Sequence, residues 1–103
     1  MGTLYYGSLQ TPVTIGDRVL AHVKSVTTAK LRRRESFFIS WNQPIKHGGG
    51  RVAIWIHPSA DLIYVFEDGA APPLDPALLE ILSSAAMSSS GIVIDAELAG
   101  SLK

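Results

Sequence analysis

Between Gly16 and Trp41 the apolar spacing of the chain changes period, and this stretch, GDRVLAHVKSVTTAKLRRRESFFISW, limits what the rest can be. Val19, Leu20, Val23, Val26, Thr27 and Leu31 recur at i, i+3 and i+4, which places them on one side of an α-helix. Asp17 is the predicted N-cap, and the basic run at the far end complements the partial negative charge of a helix C-terminus. Thr27 and Thr28 are poor helix formers, so packing rather than propensity must hold this helix. From Ser36 to Asn42 the period becomes two, with Phe37, Ile39 and Trp41 on one side of a strand and Phe38, Ser40 and Asn42 on the other. A helix with one apolar stripe, followed at once by a strand, calls for a sheet that covers the stripe.

The flanking segments supply that sheet. Thr3–Gly7 and Pro12–Ile15 are β-rich runs around a turn and predict an N-terminal hairpin. After Pro44 and the glycine-rich loop at 46–50, Arg51–His57 is the next strand, with Val52, Ile54 and Ile56 on one face. Pro58–Asp61 turns into Leu62–Glu67, where Leu62, Tyr64 and Phe66 alternate with Ile63 and Val65 and close a meander. Asp75 and Pro76 are a cap and first residue for a second helix, with Leu78, Leu79, Leu82, Ala85 and Ala86 as its stripe. Gly91 closes that helix, and Ile92–Ile94 is a last short strand. The order ββαβββαβ predicts an α+β, two-layer sandwich: a mostly antiparallel sheet with two helices on one face. Residues 1–95 form one domain in this reading, and 96–103 a C-terminal tail or short helical turn.

Counting faces has a consequence. Two helices can cover the apolar side of the strands, but the other side still carries Phe38, Trp55, Ile63 and Val65, with His57 at a strand end. Exposed apolar surface of this kind marks a partner, and a symmetric homodimer is the commonest one.

Net charge is zero and conceals a polarity. Residues 1–60 hold eight Lys and Arg against two Asp and Glu, or +6, while residues 61–103 hold one against seven, or −6. Lys24, Lys30, Arg32, Arg33 and Arg34 concentrate the positive charge on the first helix. They could bind phosphates of a nucleic acid or another anion. The plainer reading is dipole complementation and solubility, with Glu35 and the acidic second half pairing some of the charge. Lys30 falls inside the apolar stripe and is expected to snorkel past the sheet edge. The absence of cysteine excludes disulfides and thiolate metal sites and suits a reducing cytoplasm. MGTLYYGS lacks the features of a signal peptide, and no apolar run approaches the roughly 18 residues of a membrane span, so a cytoplasmic protein without membrane attachment is expected.

Nothing in the residue pattern recommends catalysis, a metal or a cofactor. His22, His47 and His57 are scattered, with His22 expected on a half-buried shoulder of the helix. His57, Ser59 and Asp61 are too close in sequence to form a triad. Gly48–Gly50 joins two strands, whereas a phosphate loop runs from strand to helix. ESFFISW and RVAIWIH do not match the signature of the aromatic RNA-binding sheets.

MGTLYYGS, DRVLAHVKSVTTAKLRRRESFFISW and GRVAIWIHPS resemble, over most of the chain, a small bacterial family of uncharacterised proteins of this length. Many of its members bear the name ATP-dependent DNA ligase, which implies at most a distant link to DNA transactions. Such ligases use a lysine in a KxDG motif, and no lysine here begins one, so no catalytic residue transfers. A chain of 103 residues is also expected to be too short for an adenylation domain with its partner domain. The expectation from the sequence is a non-catalytic domain acting by self-association or partner binding, with a nucleic-acid-binding accessory protein as the alternative.

Overall fold

A computed structural model describes residues 1–43, 45 and 48–94; the expected C-terminal tail at 96–103 and His47 of the glycine-rich loop lie outside them. The elements are β1 (Gly2–Tyr6), β2 (Thr11–Ile15), α1 (Asp17–Arg32), β3 (Phe37–Asn42), β4 (Arg51–Ile56), β5 (Leu62–Val65), α2 (Pro76–Met87) and β6 (Ile92–Ile94). The order is ββαβββαβ and the class α+β, as the alternation of periods predicts.

The strands divide into two sheets of three, ordered β2-β1-β5 and β4-β3-β6. The expected β3–β4–β5 meander therefore breaks after β4. β5 pairs antiparallel with β1, Leu4 opposite Tyr64 and Tyr6 opposite Leu62, and the Gly7 N–H donates to the Asp61 carbonyl at 2.9 Å beyond the ladder. The turn after β4, closed by the Ala60 N–H on the His57 carbonyl at 3.0 Å, carries the chain off to this new partner. β6 lies parallel to β3, with Ile92 opposite Ile39. Between the sheets the Tyr6 hydroxyl donates to the carbonyl of Trp55.

One core draws on both sheets and both helices, with Leu4, Ile15, Leu20, Ile39, Ile56, Leu82 and Ile92 among its fully buried side chains. α1 buries Val19, Leu20, Val23 and Val26, the stripe read from the spacing, together with His22, Thr27 and Lys30. His22 is wholly buried, not the half-buried shoulder its place on the wheel suggested. Gly16, in extended conformation, is the N-cap of α1, and no side chain caps it. Asp17 is instead the first helical residue and turns its carboxylate to the backbone N–H groups of Glu67 (3.2 Å) and Asp68 (2.9 Å). α2 begins as expected, with Asp75 capping it by accepting from the Ala77 N–H at 3.0 Å and Pro76 as its first residue. It ends at Met87 with Ser88, not Gly91, as the C-cap, the Ser88 N–H returning to the Ala85 carbonyl. Gly91, at φ 70°, admits the chain to β6 so close to Phe38 that a side chain there would strike the Phe38 carbonyl.

Candidate binding surfaces

Phe38 and Trp55 face each other across β3 and β4, their ring centroids 4.8 Å apart and their planes inclined at 58°. Alternation sends both away from the core, leaving Phe38 39% and Trp55 47% exposed. Val93, outward on β6 opposite Ser40, continues the apolar surface across the third strand at 39% exposure. Ile63 and Val65 are also outward and exposed, but on the other sheet, where they face Tyr5 and Thr3 of β1. His57 stands half-buried at the end of β4. The five residues expected on one open face are thus shared between two sheets.

The basic cluster separates in a similar way. Lys30 is buried, with Nζ 3.3 Å from Glu35 Oε1, and Arg33 Nη2 lies 3.4 Å from the same oxygen. The turn after α1 places Glu35 there, its N–H returning to the Lys30 carbonyl at 3.0 Å. Lys24, Arg32 and Arg34 are exposed and have no carboxylate within ion-pair distance among the described residues. A cleft of about 440 Å³ brings the Lys30–Glu35 pair to Phe38 and Trp55, with Met87 at the end of α2 as a neighbour. The end of α1 and the start of β3, close in sequence, there meet Trp55 of β4 and the end of α2 in one concavity.

A larger groove, about 770 Å³, runs between the outer flank of α1 and the segment from Phe66 to Leu74. Ala21, Ser25 and Ala29 form its helix wall, with Lys24 and Arg32 on the same side; Phe66, Pro72 and Leu74 form the opposite one. The sequence did contain a signal for it, small residues at i, i+4 and i+8 beside the apolar stripe. What they would face could not be known without the path of residues 66–74.

That path is pinned at both ends by α1. Near one end stands the Asp17 carboxylate. The Asp68 N–H, with that of Glu67 and the N-terminal ammonium, holds this carboxyl below its usual range despite some opposing burial. At the other end the buried His22 accepts the Asp75 N–H on Nε2 at 2.8 Å and donates from Nδ1 to the Arg18 carbonyl at 2.6 Å. Arg18 Nη2 reaches Asp75 Oδ2 at 3.2 Å. Beneath, Thr27 and Tyr64 bring two buried hydroxyls together without an ordinary hydrogen bond. Burial pushes the Tyr64 phenol up, against a smaller opposing effect of the Thr27 hydroxyl.

Among the described residues, no three His, Asp or Glu side chains are grouped as metal ligands would be, and no helix is long and apolar enough to cross a membrane. What these features define is a small α+β domain with two half-exposed sheet faces and one flanking groove. Residues 1–97 match the family described as a domain of unknown function, DUF7882, and the chain belongs to that family. No curated protein and no solved structure matches it.

Proposed function

We propose that this domain acts by association rather than by chemistry of its own, and that the outer face of the β4-β3-β6 sheet is its contact surface. The observation that supports this is the Phe38–Trp55 pair, two aromatic rings in tilted contact and left partly in water on a three-stranded face. Large aromatic side chains anchor interfaces because they bury much area at little entropic cost. A second copy of the chain is the occupant, since a symmetric dimer needs only one such patch. A cysteine-free chain of this kind suits the reducing cytoplasm.

The test is sedimentation equilibrium over a range of protein concentrations. The wild type should dimerise, and Trp55→Asp should give a folded monomer. A wild type that stays monomeric throughout rules the reading out.

The second reading, nucleic-acid binding, is favoured by Lys24, Arg32 and Arg34, which have no carboxylate within ion-pair distance among the described residues. A mobility-shift titration distinguishes it. Binding that weakens steeply with salt, and falls with Arg32→Ala plus Arg33→Ala, would support it.

A further inference from the structure

We infer that the groove between α1 and the 66–74 segment is a binding site for a single-chain amphipathic anion, an acyl-type chain ending in one carboxylate. Its volume of about 770 Å³ is that of a site for a small organic molecule. The helix wall extends from Ala21 to Arg32, roughly 16 Å at the rise of an α-helix, so the space is long rather than round.

The groove is held open in the free protein. The side chains of Ala21, Ser25 and Ala29 are too short to reach across it. The facing segment is tied to α1 at its two ends, by Asp17 at Glu67 and Asp68 and by His22 and Arg18 at Asp75, and between them it stands off from the helix. A site built in advance spares a ligand the cost of ordering it.

Charge selects the ligand. Lys24 and Arg32 line the groove about 12 Å apart along the helix, and neither has a carboxylate partner among the described residues. The acid in the lining, Asp68, already accepts from the Ala70 N–H at 3.0 Å through Oδ1. The walls are otherwise largely apolar, through Phe66, Pro72, Leu74 and four alanines. An apolar chain with one anionic end satisfies both features. Among the described residues Phe66 is the sole aromatic in the lining, which gives a nucleobase nothing to be sandwiched between.

The inference concerns a different surface from the Phe38–Trp55 face and does not depend on it. It is tested on the full 103-residue chain with dodecanoate, held below its micelle concentration, by calorimetry and by amide shifts in ¹⁵N spectra. Saturable one-to-one binding is expected, with shifts at residues 21–32 and 66–74. Lys24→Ala plus Arg32→Ala should weaken it about tenfold or more, and both side chains are exposed, so the fold is spared. Ala29→Trp, also at an exposed position, should block the groove. Dodecylamine and dodecanol should bind far more weakly. The inference is overturned by any of four results: no saturable binding, shifts centred on Phe38 and Trp55, equal binding of the amine, or indifference to the double substitution.

Discussion

His22 Nε2 accepts the backbone N–H of Asp75 at 2.8 Å, so a buried side chain of the first helix holds the cap of the second. Asp75 can then turn its carboxylate both to the Ala77 N–H and to Arg18. A single imidazole thus ties the helix pair to the end of the long connection that leads into α2.

Replacing His22 with Phe keeps a ring in the core but leaves the Asp75 N–H without an acceptor. The expected loss is about 1–3 kcal/mol, the cost of an unsatisfied buried donor. Arg18→Ala breaks only a partly exposed ion pair and should cost under about 1 kcal/mol. Urea unfolding of both variants checks the order, and equal effects would refute it.

Gly91→Ala should be severely destabilising. The added methyl group would lie 2.8 Å from the Phe38 Cβ and closer still to its carbonyl, on backbone that cannot swing aside. The left-handed φ alone costs roughly 1–2 kcal/mol for an L-residue, and the clash adds to it. Gly69 has open space around it, so Gly69→Ala should stay within about 0.5 kcal/mol. Thermal unfolding separates the two, and a benign Gly91→Ala would show that β6 shifts freely.

Acid should weaken the fold partly through Asp17. Its folded carboxyl is held below the ordinary 3.8, so the unfolded chain takes up the proton first. The stabilisation is present above that value and is lost as pH falls through the folded one. Asp17→Asn should therefore flatten this part of the acid limb in urea midpoints taken below about pH 4. Parallel limbs in the two proteins would remove Asp17 from the account.

At the alkaline end Tyr64 behaves in the opposite sense. Its buried phenol resists ionisation in the folded state, so stability is full below the ordinary 10.0 and declines as pH rises past it. Tyr64→Phe should abolish that decline. At neutral pH it should be neutral, or stabilising by up to about 1 kcal/mol, since it deletes a buried hydroxyl with no ordinary hydrogen-bond partner among the described residues. A loss of 2 kcal/mol or more, on the order of a satisfied buried bond or a cavity, would show that the hydroxyl is engaged after all.

The eight elements, the α2 cap at Asp75 and the apolar stripe of α1 were legible in the chain because periods of 2 and 3.6 record which side of an element meets the core. The outward setting of Phe38 and Trp55 followed from the same alternation. Tertiary structure alone decided that β5 leaves β4 for β1, that β6 runs parallel to β3, and that the outward apolar residues divide between two sheets. It alone decided that His22 is buried and that residues 66–74 stand off from α1 to leave a groove. Periodicity records burial, which each residue carries locally. Pairing, and the burial of a polar ring, depend on a partner such as the Asp75 N–H, 53 residues from His22, which only the folded chain brings within reach.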